Sequence, residues 1–230
     1  MRKYTTLLFD ADMTLFDFDG AEKVAFGIVM SSHGIQYSDA DFERYRAINA
    51  ELWEMYSRGE VTKERLQATR FGMFFETLDP VPTVDGERVN AEYVDALADC
   101  SEIFDGAESL CKKLSEKYEL YIVTNGVSRT QKKRFYASSI CQYFKDIFVS
   151  EDAGAPKPMR GYFDYVFERI GEDKKEGSVI IGDSLTSDIA GGNNFGIDTF
   201  WYNPNGKRNT TDIIPTRVIG SYSGLLELLL

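Results

Sequence analysis

One histidine, three cysteines and no long apolar run set the first limits on this 230-residue chain. With His33 alone, a histidine-rich metal site or a mechanism built on two histidines is ruled out. His33 lies in Ser31-Ser32-His33-Gly34, which reads as a helix end, so a surface or capping role is expected for it. Cys100, Cys111 and Cys141 are odd in number, widely spaced and form no CxxC pair, the pattern of buried thiols in a reducing compartment. No apolar stretch approaches a membrane span, and the first residues hold no signal-like apolar core. A cytoplasmic protein is expected, with no membrane partner. Internal repeats and low-complexity tracts are also missing. Basic residues are outnumbered, 26 Lys and Arg against 37 Asp and Glu, giving a net charge of −11. That balance argues against a nucleic-acid polymer as partner. It leaves room for an anionic small molecule, provided a metal ion reverses the local sign.

What is present is a strand–helix alternation. Thr5–Phe9, Leu120–Thr124, Ile147–Val149, Ser178–Ile181 and Thr199–Tyr202 are short apolar runs without clean alternation, as parallel strands covered on both faces require. Outside these runs, 107–117, ahead of the second, and 162–170, ahead of the fourth, carry apolar residues at helical spacing. The fold class expected is α/β, a Rossmann-like doubly wound parallel sheet. Residues from about Phe16 to Asp99 contain no convincing strand. They read as helices over 20–33, 39–58, 62–78 and 91–100, with Ser38 and Thr62 as N-caps. Hence a core domain of 1–16 and 100–230 is expected to carry an inserted α-helical cap domain of 17–99 over the ligand edge of its sheet.

Polar clusters follow four of the strands. Asp10 and Asp12 follow the first; Thr124-Asn125-Gly126 ends the second; Lys157 lies beyond the third; Gly182-Asp183-Ser184, with Asp188, follows the fourth. In a parallel sheet all four line one edge, the edge where ligands bind. Singly, each has a plain alternative: a strand-end turn, a loop lysine, an acid placed for a helix dipole. Together they supply a nucleophile, a hydroxyl, a cation and paired acids. A carboxylate at the strand end, Asp10, can attack phosphorus and form an aspartyl-phosphate. Asp12 can then protonate the leaving oxygen and later activate water. The Thr124 hydroxyl can hold the phosphate, while Lys157 offsets charge on Asp10 and on the substrate.

The order of these clusters resembles the haloacid dehalogenase superfamily, in particular its Mg²⁺-dependent phosphohydrolases. The matching motifs are Asp10-Ala11-Asp12-Met13-Thr14, Thr124, Lys157 and Gly182-Asp183-Ser184-Leu185-Thr186-Ser187-Asp188. The insertion falls where that superfamily's helical C1 cap does. The resemblance implies Mg²⁺ held by the Asp10 carboxylate, the Asp12 carbonyl and Asp183, with Asp188 acting directly or through water. It also implies a substrate-binding set of Thr14, Asn125 and Gly126, joined here by Phe16 and Phe18 where the chain leaves the catalytic loop for the cap. The remaining cap aromatics, among them Tyr45, Trp53, Tyr56, Phe71, Phe74 and Phe75, are expected mainly to form the cap core.

Three stretches are similar to the YjjG-type pyrimidine 5′-nucleotidase branch: Phe9-Asp10-Ala11-Asp12 with Thr14-Leu15-Phe16-Asp17-Phe18, Thr124-Asn125-Gly126, and Lys157-Pro158 with Phe163-Asp164-Tyr165. A phosphomonoester hydrolase acting on a small phosphorylated metabolite, a nucleoside 5′-monophosphate, is therefore expected, as a monomer or weak homo-oligomer. The alternatives are a broad-specificity or sugar phosphatase, or a relative of the phosphoglucomutases. A 2-haloacid dehalogenase is disfavoured because those enzymes lack the second motif acid, here Asp12. A non-catalytic binding module is disfavoured because no motif residue is missing.

Overall fold

A computed structural model of the chain describes residues 4–230. The chain divides into two compact units, one formed by the segment ending at Phe18 together with Ser101–Leu230, the other by Asp19–Cys100. In chain order, β1 (Thr6–Phe9) is followed by four helices, α1 (Phe18–Ser32), α2 (Asp39–Ser57), α3 (Lys63–Phe75) and α4 (Gly86–Ala98). The first unit then resumes with α5 (Ala107–Ser115), β2 (Glu119–Thr124), α6 (Ser128–Ala137), β3 (Asp146–Val149), α7 (Ser150–Ala153) and α8 (Arg160–Ile170). It ends with β4 (Ser178–Gly182), α9 (Ala190–Phe195), β5 (Asp198–Tyr202), β6 (Arg217–Ile219) and α10 (Tyr222–Leu229). No helix among the described residues is long and apolar enough to cross a membrane.

The strands form one parallel sheet in the order β3-β2-β1-β4-β5-β6. The chain builds outward from β1 on one side, then returns to build on the other, so strand order reverses at β1. Such a switch point opens a crevice at the carboxyl ends of the strands. Alternate residues of β1 feed the two cores. Leu7 and Phe9 join Leu110, Leu114 and Leu225 on one face; Leu8 joins Tyr162, Phe163, Val166 and Phe167 on the other. This two-sided burial explains the apolar runs without alternation. Cys100 and Cys111 are buried and Cys141 half-buried, all as thiols.

Three elements absent from the sequence reading have physical reasons for being inconspicuous. Helix α6 is mostly polar, and it buries Thr130, Gln131 and Arg134 beside Phe135. Strand β6 is a three-residue edge strand that leaves Arg217 and Val218 exposed. Helix α10 is short, and its N-terminus is capped by Ser221. The fourth helix begins at Gly86, five residues before the expected start, because Asp85 caps it.

In the helical unit, Phe26, Tyr45, Phe71, Phe74 and Tyr93 are buried and in mutual ring contact. Ser38 and Asp41 make a reciprocal capping box at α2, and Thr62 caps α3. His33 does not cap: its Nε2 lies 2.7 Å from Glu92 Oε2, tying the end of α1 to α4. Each of the four helices also contributes one buried polar residue to a single network. Asn49 donates to Glu22 Oε1 at 2.8 Å, and Arg70 donates to Asn90 at 2.6 Å and to Asn49 at 3.2 Å.

Burial pushes the Glu22 carboxyl up from 4.5 to about 7, against the pull of Arg46 and Asn49. A carboxyl with a raised folded-state pKa contributes its stability at low pH and loses it as pH rises through 4.5 to about 7. The loss is on the order of 3 kcal/mol when complete. Glu22→Gln keeps an acceptor for Asn49 and removes this titration. Thermal unfolding at pH 5 and pH 8 should therefore show a smaller pH difference in Glu22→Gln than in the parent; equal differences would show that Glu22 carries no such linkage.

Candidate active site

Register brings the four polar clusters together. Phe9 pairs with Ile122 on β2 and with Ile181 on β4, so Asp10 lies level with Val123 and Gly182. Thr124 and Asp183 follow one residue further along. The Asp10 backbone N–H continues the ladder to the Ile181 carbonyl at 2.9 Å.

Lys157 is the centre of this cluster. Its side chain is 1% exposed, and its ammonium donates to Asp10 Oδ1 at 2.7 Å, Asp188 Oδ1 at 2.7 Å and the Val123 carbonyl at 2.6 Å. An ammonium has three donors, and all three are used. The other Asp188 oxygen accepts from the Ser184 N–H at 3.1 Å. Asp188 belongs to a π-helical turn, Leu185–Ile189, which aims it inward; it is not an exposed acid serving a helix dipole. Its carboxylate lies so close to Gly182 that a Cβ there would sit 2.2 Å from Oδ2. Only glycine fits at the end of β4.

Asp10, Asp183 and Asp188 each offer a carboxylate oxygen, all within 4.8 Å of one another. Burial drives the Asp10 carboxyl well above the usual range despite Lys157, with Asp188 and Asp183 adding to the rise. Asp183 is pushed up to about 7, first by burial and then by the charge of Asp188. Lys157 and, on Asp183, the added pull of Lys207 set two cations against three acids, which leaves the cluster short of positive charge. The donors are all hard oxygens, the set suited to a small divalent cation of the magnesium class. Trp201 Nε1 holds the Asp183 carbonyl at 2.8 Å, fixing that acid's backbone.

The remaining candidate residues divide. Thr124 is buried, and its Oγ1 accepts from the Gly126 N–H at 3.1 Å, shaping the turn after β2. Asn125 was expected at the substrate, but its amide is occupied elsewhere. Nδ2 donates to the Lys157 carbonyl at 2.8 Å and Oδ1 accepts from the Lys157 N–H at 2.9 Å, so Asn125 braces the lysine's backbone. Thr14 is 1% exposed, and its Oγ1 finds no hydrogen-bond partner among the described residues. Phe16, also expected at the substrate, is 2% exposed and belongs to the core around Leu7 and Phe9. Its backbone is bridged to Asp12 and to Ile103, which draws the ring inward. Phe18 is half-buried at the first position of α1.

Asp12 has two partners that no motif announced. Gln131 Nε2 donates to its Oδ2 at 2.6 Å, and Arg134 Nη1 to its Oδ1 at 2.6 Å. Both side chains come from α6. The available signal was their spacing of three just after Thr124-Asn125-Gly126, which sets them on one helix face.

Comparison with known proteins matches residues 7–202 to the haloacid dehalogenase-like hydrolase family. YfnB of Bacillus subtilis (strain 168), which carries the HAD-hydrolase name, is 42% identical over 100% of this chain and 97% of its own length. A crystal structure of YfnB bound to magnesium superposes with a TM-score of 0.93 over 99% of each chain. The pyrimidine 5′-nucleotidase PynA of Streptococcus pneumoniae is 37% identical over 98% of this chain and 95% of its own. The pyrimidine 5′-nucleotidase YjjG of Escherichia coli is 32% identical over 99% and 98%.

Proposed function

The chain belongs to the haloacid dehalogenase-like hydrolases, and we propose that it is a Mg²⁺-dependent phosphomonoester hydrolase that acts on pyrimidine nucleoside 5′-monophosphates through a phosphoryl group carried on Asp10. The observation that carries the proposal is the buried Lys157 ammonium joined to both Asp10 and Asp188 at the switch point of the sheet.

Lys157 engages Asp10 Oδ1 and leaves Oδ2 to attack phosphorus. As the Asp10–phosphorus bond forms and the ester bond breaks, Asp12 gives its proton to the departing oxygen. In the second half, the Asp12 carboxylate takes a proton from water as the water oxygen bonds phosphorus and Asp10 is released. Lys157 offsets negative charge on the phosphoryl oxygens, and the Asn125 backbone offers an N–H group just past the end of β2. The Thr124 hydroxyl orders that turn. Mg²⁺, held by Asp10, Asp183 and the Asp12 carbonyl with Asp188 beside them, would supply the remaining charge neutralisation on the transferred group.

The substrate class is supported by the two relatives named pyrimidine 5′-nucleotidases, each matched over nearly its whole length. A panel of phosphate-release assays tests it. Uridine and thymidine monophosphates are expected to exceed sugar phosphates in kcat/KM; sugar phosphates clearly leading would overturn the nucleotidase assignment and leave the phosphatase. Dialysis against EDTA should abolish turnover of p-nitrophenyl phosphate and millimolar Mg²⁺ restore it. Full activity in EDTA would refute the metal.

A further inference from the structure

Gln131 and Arg134 stand outside every chemical role assigned so far, yet both are buried against the acid that moves the protons. Arg134 is 1% exposed at its side chain while Asp12 is 24% exposed. The two donors therefore hold Asp12 from its inner side. A carboxylate has about four lone-pair positions. Gln131 takes one on Oδ2 and Arg134 one on Oδ1, so each oxygen keeps a position on the accessible side.

Three further features bear on the same side chain. The Arg134 guanidinium lies 5.1 Å from the Phe16 ring centroid and 5.9 Å from that of Phe18, so two aromatic faces hold the cation itself. Gln131 presses on Gly126, where a Cβ would sit 2.3 Å from Nε2 and 2.6 Å from Cγ. Met13, next to Asp12, holds φ at 60°, a conformation that costs a non-glycine residue energy and persists only where its surroundings impose it. Burying an arginine and an amide is also expensive for stability, since apolar residues of the same size often serve as well or better.

We propose that Gln131 and Arg134 are positioning residues for Asp12: they lock its carboxyl so that the accessible oxygen faces the leaving-group oxygen in the first step and water in the second. The proposal rests on the assignment of Asp12 as the proton donor and acceptor. Gln131 and Arg134 act on the phosphate ester only through Asp12.

The dependence of rate on leaving group tests this, because a merely structural loss does not distinguish leaving groups. The ratio of kcat/KM for the alkyl monoester turned over best in the substrate panel to that for p-nitrophenyl phosphate reports the step up to loss of the leaving group. An alkoxide needs the proton from Asp12; nitrophenolate leaves largely without it. Gln131→Met, of similar volume, is expected to lower kcat/KM about tenfold or more for the alkyl ester and less than about threefold for the aryl ester. Arg134→Met should lower the ratio further, and Arg134→Lys should recover part of it. In an Asp12→Asn background, Gln131→Met should leave the ratio where Asp12→Asn alone puts it.

Equal falls for both esters, or an unchanged ratio, in a Gln131→Met protein with parental melting temperature would overturn the proposal. Should Arg134→Met not fold, the Gln131→Met ratio decides. Should Asp12→Asn itself leave the ratio unchanged, the assignment of Asp12 fails, and the positioning role with it. An altered ratio in Asp12→Asn beside an unaltered one in Gln131→Met sinks only the positioning role.

Discussion

Asp10→Asn should turn over no phosphomonoester in the steady state, a loss on the order of a thousandfold or more. An amide cannot attack phosphorus to give an acyl phosphate, so both half-reactions disappear together. The variant should nevertheless fold. Asp10 is a buried carboxyl whose charged form burial disfavours, and an amide of the same shape removes that penalty. Lys157 keeps Asp188 and the Val123 carbonyl as partners. Phosphate release, thermal melting and acid-quenched trapping of labelled phosphoenzyme check the three parts. Retained turnover, or a phosphoryl label that persists in Asp10→Asn, would refute the covalent route.

Lys157→Met is the substitution expected to cost most in stability. It removes three hydrogen bonds at once and leaves Asp10 and Asp188 facing each other in a buried site with no cation between them. Breaking a buried pair by deleting one partner costs about 3–5 kcal/mol. For a chain of this length that corresponds to a fall in Tm of roughly 10 °C. The sign of the pH dependence follows. Without Lys157, Asp10 loses the charge that lowers its carboxyl against burial and holds its proton more tightly when folded, so the variant is most stable at low pH and loses stability as pH rises through the raised carboxyl range. The deficit relative to the parent should thus be smaller at pH 5 than at pH 8. Activity should fall about a hundredfold or more, because charge on the transferred group loses its partner. An unchanged Tm at pH 8 would show that the Lys157 contacts contribute little to the fold.

The residues of the candidate site split by how local their signal is. Asp10 and Asp183 were readable because each is a charged residue just beyond an apolar strand, and a parallel sheet sends such positions to one edge; Lys157 lies past α7, well beyond the end of β3, and was readable only from its place in the order of the clusters. The caps at Ser38 and Thr62 were readable for a similar reason: cap and capped N–H lie within three residues. Asn125 was placed correctly along the chain but given the wrong partner. Its amide meets the Lys157 backbone, 32 residues on, and nothing in Thr124-Asn125-Gly126 encodes that meeting. Phe16 illustrates the converse. An aromatic beside a catalytic loop suggests a ligand contact, but its pairing with Ile103 turns the ring into the core.

By itself the sequence determined the parallel α/β core, the helical insertion and the inventory of acids, hydroxyl and lysine at one sheet edge. Those follow from hydrophobic period and strand-end position, which are properties of neighbouring residues. Only the tertiary structure decided which charges neutralise which, and which polar residues are buried. Lys157 is joined to Asp10 across 147 residues, and Gln131 and Arg134 reach Asp12 across 119 and 122. The stripe on α6 that buries an arginine looks the same in sequence as one that faces water. Burial is set by what packs against a helix, and the partner here is a loop more than a hundred residues away.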